Sequence, residues 1–197
     1  MKIEELAVPD AYRIIPEKWP DIRGYFYEAA RTENIGEAIG HRFEIAQVNF
    51  SVSHRNTLRG VHGVTIPPGQ AKFVSCLRGA ALDIVVDLRI DSPAFGRYSV
   101  NILDASSGVA VYIAAGLGHG FLALADDTCV GYLCSTTYVP EAAYEIDPLD
   151  PELDLPWGLT EPPITVNRSA AATSLASAIE SGVLSTYQEC KEYYENF

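Results

Sequence analysis

Basic residues are scarce in this 197-residue sequence: 14 lysines and arginines stand against 26 aspartates and glutamates, which gives a net charge of −12. This balance excludes general binding to nucleic acid, because affinity for phosphate backbones depends on neutralisation by Lys and Arg. An anionic ligand would need a local cluster of basic side chains. Long apolar runs are also missing. Since a membrane span needs about 18 or more consecutive apolar residues, we expect no contact with the membrane interior.

Cysteine is scarce as well, with four residues and no pair at the spacing Cys-x-x-Cys. Three of the four lie in apolar runs typical of strands, where cysteine behaves as a small buried hydrophobic residue. We therefore expect reduced thiols and a cytoplasmic location. Residues 1–5 (MKIEE) carry acid where a signal peptide needs an apolar run, which favours the same location.

What the sequence does contain is a series of short β-rich segments between about residues 42 and 139, separated by turn signals. Evenly spaced short strands predict an all-β sandwich or barrel. We expect a short N-terminal β segment, a helix over Thr32–Ile39 and a helical tail over about 170–194, with residues 1–197 forming one domain. The clearest predicted strands are Phe43–Phe50, Lys72–Leu77, Ala81–Leu88, Tyr98–Leu103, Val109–Ile113, Gly120–Leu124 and Val130–Ser135.

One of these strands carries two carboxylates in an unusual setting. The run Leu82–Leu88 (LDIVVDL) is too apolar for a half-exposed strand, yet Asp83 and Asp87 share one face of it at period two. Carboxylates on a central strand must be paired or must face a polar cavity.

His41 follows a glycine and is expected at the surface, whereas two of the four histidines have glycine on both sides, His62 in RGVHG and His119 in GHG. Glycine lets the backbone approach a ligand and exposes the neighbouring side chain. A β-barrel with two such histidines suggests a cupin. Metal-binding cupins usually show His-x-His followed by Glu. Here Val64 takes the position of the second histidine, and Gln70 or Lys72 takes the position of the acid. Two histidines and a lysine do not make a transition-metal site, so we expect no metal.

Lys72 opens the apolar strand FVSCL directly after Gln70 and Ala71. A lysine at an inward strand position is costly unless it meets an anion, so it either reaches solvent at the strand end or holds a developing oxyanion. Tyr132 and Tyr138 lie six residues apart, on one face if the strand continues. Tyrosines in barrels usually belong to the core, so this pair alone is a weak signal.

Taken together and in order, these segments resemble the dTDP-4-dehydrorhamnose 3,5-epimerase family. The likeness runs from about residue 3 to 170, and its motifs are specific for the family, though less so for the reaction. The matching segments are Asp21–Glu28 (DIRGYFYE), Gln47–Ser53 (QVNFSVS), Leu58–His62 (LRGVH), Gln70–Val74 (QAKFV), Val86–Arg89 (VDLR), Ser92–Gly96 (SPAFG), Gly118–Phe121 (GHGF) and Asp147-Pro148.

The resemblance implies a cupin-type jelly-roll barrel, a homodimer, no cofactor, and a dTDP-4-keto-6-deoxyhexose as substrate. By matching motif, His62 is the base that removes a proton beside the ketone, Lys72 stabilises the enolate oxygen, and Tyr132 returns a proton on the opposite face. This set agrees with what proton abstraction next to a carbonyl requires. Further matching positions are expected to hold nucleotide, diphosphate or sugar: Arg23, Glu28, Gln47, Asn49, Arg59, His119, Tyr138 and Arg168.

Three departures from the family pattern surround the base and the sugar pocket. Ala143 replaces a usual Glu, with Glu141 and Glu145 nearby, and Gly63 replaces a bulky, often aromatic residue. Ser169 replaces the Asp that commonly partners the catalytic histidine. Asp83, if it points inward, is the candidate substitute for that partner.

These departures favour a monofunctional 3-epimerase of the kind found in antibiotic deoxysugar pathways. The alternative within the class is the full 3,5-epimerase, which acts at both C3 and C5. An alternative of another class is a sugar-nucleotide-binding cupin without catalysis. The joint presence of His62, Lys72 and Tyr132 argues against that third hypothesis, since a binding protein has no use for a base, an electrophile and an acid.

Overall fold

The computed structural model describes residues 1–165 and 172–195. Within these ranges, short strands dominate and helices are few. The elements are β1 (Lys2–Glu5), β2 (Ala11–Ile15), β3 (Lys18–Asp21), β4 (Gly24–Tyr27), α1 (Thr32–Ile39), β5 (Gln47–Ser53), β6 (Leu58–Val64), β7 (Lys72–Arg78), β8 (Ala80–Asp87), β9 (Tyr98–Asp104), β10 (Ala110–Ile113), β11 (Leu117–Ala123), β12 (Thr128–Cys134), β13 (Ala143–Glu145), α2 (Leu175–Glu180) and α3 (Tyr187–Glu195).

Two antiparallel sheets form the body of the protein. One has the order β1-β2-β10-β7-β12-β5 and the other β13-β6-β11-β8-β9, while β3 and β4 form a separate hairpin. Apolar side chains from both sheets meet in one core, among them Val74 and Val130 from the first and Val85 and Phe121 from the second. The predicted all-β, jelly-roll class is confirmed, although the two sheets are not closed into a continuous barrel within the described residues.

Strand β8 is buried on both faces, which explains its nearly unbroken apolar run. Ala81 and Val85 face the core between the sheets, whereas Ile84 and Val86 face a second apolar cluster on the other side. That second cluster is completed by C-terminal residues, which cover the outer face of the five-stranded sheet: Tyr144, Ile146, Leu153, Leu155, Trp157, Leu175, Ala178 and Leu184.

The N-terminal β segment belongs to the sandwich. β1 pairs with β2, and β2 pairs with β10 of the six-stranded sheet. β13 extends the other sheet beyond residue 139. The β core therefore runs from residue 2 to 145 rather than from about 42 to 139, because short edge strands outside the clear apolar runs find partners only in the folded sheet.

The helical tail is shorter than predicted. Residues 170 and 171 lie outside the described residues, and the first helix begins after Ser174, whose side chain accepts a hydrogen bond from the Ser177 amide at 3.1 Å. Such a cap fixes the helix start. None of the helices in the described ranges is long and apolar enough to cross a lipid bilayer.

Candidate active site

His62 lies on β6, between β11 on one side and β13 on the other. In the two registers, His119 and Glu145 stand directly opposite it. A glycine is required two residues earlier, because Gly60 has a φ of +100° and a Cβ there would lie 2.5 Å from the carbonyl oxygen of His119. The glycine at residue 60 thus allows close approach of β11. His62 keeps a side chain that is 47% exposed, as its glycine neighbours predicted, whereas His119 is buried despite a glycine on each side.

A cavity of about 680 Å³ brings most of the predicted site residues together. A second cavity of about 590 Å³ adjoins it, and Arg59, His62 and Glu145 line both. His62 therefore stands at the boundary between two connected spaces. The larger cavity also contains Asn49, Ser51, Gly63, Lys72, His119, Tyr132, Tyr138, Ala143 and Tyr144.

Lys72 enters this cavity from the first residue of β7, where it pairs with Ile113 on one side and Cys134 on the other. Burial lowers the pKa of its ammonium, because desolvation disfavours the charged form, while the nearby Cys134 acts in the opposite direction. No carboxylate partner of Lys72 is recorded among the described residues. The side chain is therefore suited to meet a negative charge supplied by a ligand.

Tyr132 faces the same cavity from β12. Its hydroxyl lies 3.5 Å from Ser51 Oγ, and its ring meets the ring of His119 edge-on with centroids 6.2 Å apart. Burial raises the pKa of the Tyr132 phenol, the Ser51 contact lowers it and the charge of Asp83 raises it further. The hydroxyl thus stays protonated at neutral pH and is available as a proton donor.

Both buried carboxylates of β8 are paired, as their position predicted. Asp87 accepts two hydrogen bonds from the Arg89 guanidinium, at 2.9 and 2.7 Å. Asp83 Oδ2 lies 2.5 Å from His119 Nε2, with both side chains buried. The expectation that Asp83 partners His62 is thereby corrected. Strand β11 lies between β8 and β6 in the sheet, and His119 of β11 is the histidine that contacts the Asp83 carboxylate.

Hydrogen bonds to side chains of β5 hold several of the residues that are expected to bind substrate. Gln47 accepts a hydrogen bond from the Tyr138 amide and donates to Asn49, both at 2.8 Å. Arg59 donates from Nε to Ser53 Oγ at 3.0 Å. Arg59 and His119 therefore place a guanidinium and an imidazole in the same cavity, which is the local basic cluster that an acidic protein needs to hold a diphosphate.

Gln47 itself lines neither cavity, and two further predicted binding residues lie away from β5 altogether. Arg23, at the tip of the β3–β4 hairpin, has an 85% exposed side chain and pairs with Asp21 at 2.6 Å. Glu28 pairs with Arg31 at 2.5 Å and lines a small separate cavity. Neither residue lines the two connected cavities. Arg168 and Ser169 lie outside the described residues.

Tyr144 is a site residue that sequence reasoning missed. It stands opposite Gly63 in the β13–β6 register, and a Cβ at residue 63 would overlap its ring. The buried tyrosine thus occupies space that a larger side chain at residue 63 would take. The glycine was a visible signal, but the residue that fills its place could only be found from the register.

A metal site is not apparent in the part of the chain that the structure describes, where no group of three or more His, Cys, Asp or Glu side chains could hold an ion. The cavity instead gathers an exposed imidazole, an ammonium and a protonated phenol. These groups can remove a proton, stabilise an oxyanion and return a proton.

Fold and cavity together define a two-sheet β protein whose cavity gathers an imidazole, an ammonium and a phenol beside a guanidinium. Residues 5–177 match the sequence profile of dTDP-4-dehydrorhamnose 3,5-epimerase. The chain belongs to this family.

Relatives with two specificities are similar to the chain. A Streptomyces dTDP-4-dehydro-6-deoxyglucose 3-epimerase is 46% identical over 187 residues, which cover 95% of each protein. The dTDP-4-dehydrorhamnose 3,5-epimerase of Mycolicibacterium smegmatis is 43% identical over 195 residues, 99% of this chain and 96% of that protein. The crystal structure of ChmJ, a 3'-monoepimerase from Streptomyces bikiniensis in complex with dTDP-quinovose, superposes with a TM-score of 0.92 at 45% identity, covering 97% of this chain and 96% of that one.

Proposed function

We propose that the protein is an epimerase that inverts C3 of dTDP-4-keto-6-deoxyglucose. The observation that carries the proposal is the convergence of His62, Lys72 and Tyr132 on one cavity that also holds Arg59 and His119. The similarity to a 3-epimerase and to a 3'-monoepimerase supports inversion at C3.

The reaction follows from the roles of the three groups. His62 removes the C3 proton, and the electron pair of the C–H bond moves into the enolate, whose oxygen the Lys72 ammonium stabilises. Tyr132 donates its proton to the opposite face of C3, which inverts the carbon. Proton transfer between the two residues and solvent restores the starting protonation states. Because no atom is oxidised or reduced, the cycle balances without a redox cofactor.

Substrate binding divides between the two ends of the ligand. The sugar lies among Lys72, Tyr132 and Tyr138, and the diphosphate lies beside Arg59 and His119. The hydrogen bond between His119 and Asp83 fixes the ring of that histidine.

A second candidate function is epimerisation at both C3 and C5, the activity that the Mycolicibacterium relative is named for. Inversion at C3 alone is supported by the similarity to a 3-epimerase and to a 3'-monoepimerase. A binding protein without catalysis is the third hypothesis, and the burial of Lys72 without a carboxylate partner among the described residues argues against it.

We further propose a cytoplasmic homodimer in which the whole chain acts as one domain. The four cysteines are free thiols, three of them buried, which suits a reducing compartment. Elements from residues 2–5 and 175–195 both pack on the sandwich. Arg23 lies at the tip of the β3–β4 hairpin and Glu28 directly follows it, both outside the cavity, so that in a dimer these residues would serve the substrate of the other copy.

Incubation with dTDP-4-keto-6-deoxyglucose in deuterium oxide, followed by proton NMR, tests the proposed function. We expect deuterium at C3, an inverted C3 in the product and hardly any label at C5. Equal incorporation at both carbons would instead establish a 3,5-epimerase. Binding of the nucleotide sugar without any exchange would favour the non-catalytic alternative.

A further inference from the structure

We propose that Glu145 is the positioning residue for His62, a role that rests on the proposed function of His62 as the base at C3. The carboxylate Oε2 of Glu145 lies 3.5 Å from Nε2 of His62. Both side chains line the larger cavity, and Glu145 is the more enclosed of the two, with 27% of its side chain exposed.

The backbone holds these two side chains together. Glu145 and His62 are directly opposite in the antiparallel β13–β6 pair, so their side chains project from the same face. Immediately beside them, Val61 and Ile146 exchange two hydrogen bonds, at 3.0 and 2.9 Å. The Glu145 carbonyl accepts a third from the Thr173 amide at 3.1 Å. The pairing is therefore a property of the sheet register rather than a chance surface contact.

A carboxylate at this place does two things for a histidine base. By accepting a hydrogen bond from Nε2–H it fixes the neutral tautomer, so that Nδ1 carries the lone pair that takes the C3 proton. Its charge then stabilises the imidazolium that forms. A separation of 3.5 Å is long for a hydrogen bond, but such contacts commonly tighten when substrate binds.

The other acids near His62 are not available for this role. Asp83 is bound to His119, and residue 169 is a serine, which carries no charge. Asp147 lines only the adjoining cavity. The remaining titratable or cationic groups that line the cavities with His62 are His54, Arg59, Lys72, His119, Tyr132, Cys134, Tyr138 and Tyr144. None of these is a carboxylate.

Imidazole NMR of the ligand-free protein tests the pairing without any assay of activity. With only four histidines in the sequence, the ¹⁵N resonances of His62 can be assigned by comparison with His62→Asn. We expect neutral His62 to be the Nε2–H tautomer in the wild type and a tautomer mixture in Glu145→Gln. A wild-type His62 protonated at Nδ1 would overturn the proposal, and this result does not depend on whether the variant folds.

Kinetics of C3 exchange test whether the contact between Glu145 and His62 increases the rate of proton removal. We expect Glu145→Gln to lower kcat by about 10²-fold with little change in KM, because the base loses the group that orients its ring while the groups that bind the substrate stay in place. The matched control Glu141→Gln changes an exposed acid of the preceding loop and should behave as wild type. A rate within about threefold of wild type, or a loss of activity that lies in KM rather than in kcat, would reject the positioning role.

Failure of this proposal and failure of the proposed function give different results. If the wild type exchanges C3 but His62 has the wrong tautomer, the function stands and the role of Glu145 falls. If the wild type exchanges neither carbon, the function falls, and the tautomer still decides whether Glu145 positions His62.

Discussion

Lys72 determines how the rate should depend on pH at the basic end. Its ammonium must be charged to hold an enolate, and burial lowers the pKa of that ammonium. Tyr132 must be protonated to act as the acid, and burial raises the pKa of its phenol. As pH rises, the Lys72 charge is therefore lost before the Tyr132 proton.

We predict that the basic limb of the kcat/KM profile reports Lys72. Activity should be fully present below its lowered pKa and fall as pH rises through it. Lys72→Arg, which keeps its charge at every accessible pH, should move this limb upward even if the absolute rate drops. The measurement is the pH dependence of C3 exchange for both proteins. An identical basic limb in the two would show that another group titrates.

Single residues of the site were predictable to different degrees. His62 and Lys72 stood out because glycines or an apolar strand surrounded them, and the resemblance supplied their roles. The partner of His62 was not predictable in this way. Which carboxylate meets which histidine depends on the order of strands in a sheet, and the sequence carries no direct signal for the order β13-β6-β11-β8.

At the scale of elements, the contact between β6 and β13 depends on one glycine. A Cβ at residue 63 would overlap the ring of Tyr144, which is buried in the cluster that covers the five-stranded sheet. The ring cannot move away without leaving its own apolar contacts. The three-residue strand β13 is thus held in register because the ring of Tyr144 fits over Gly63, which has no side chain.

We predict that Gly63→Ala destabilises the protein by about 1–3 kcal/mol through overpacking. In a Tyr144→Ala background the same substitution should be neutral or stabilising, because the space is then free and alanine suits a strand better than glycine. Urea denaturation of the four proteins gives the coupling energy. An equal cost of Gly63→Ala in both backgrounds would contradict the packing account.

The boundaries of the elements followed the sequence where local signals were strong. The helix Thr32–Ile39 was predicted with its observed bounds, whereas the strand expected at Phe43–Phe50 lies at Gln47–Ser53. The shift moves the strand into a polar stretch. Pairing with β12 along its whole length stabilises it there, and tertiary pairing of this kind overrides local β-propensity.

For the whole molecule, the most informative surface is the outer face of the six-stranded sheet. Its edge strand β5 exposes Val48, Phe50 and Val52 in alternation, with Phe50 63% exposed, and Leu77 of β7 lies nearby. An apolar row on an edge strand is an aggregation hazard unless it is covered. This surface and the exposed β3–β4 hairpin support the proposed homodimer.

We predict a dimer whose hairpin serves the partner's active site. Arg23→Ala should raise KM, and Lys72→Met should abolish exchange. Co-expression of the two variants with different tags should yield mixed dimers with restored activity, because one site then has its own Lys72 and an intact Arg23 from the other copy. Sedimentation equilibrium and the activity of purified mixed dimers are the measurements. A monomer at micromolar concentration, or mixed dimers without recovery, would contradict this arrangement.

The central claim for the enzyme is that two groups on opposite faces of the sugar, His62 and Tyr132, invert C3. Its most direct test is Tyr132→Phe, which removes only a hydroxyl and so nearly preserves packing. In deuterium oxide, this variant should still place deuterium at C3 of recovered substrate, since His62 can remove the proton and return deuterium to the same face, while inverted product is absent. Product formation by the variant at the wild-type rate would contradict the claim and remove Tyr132 from the mechanism.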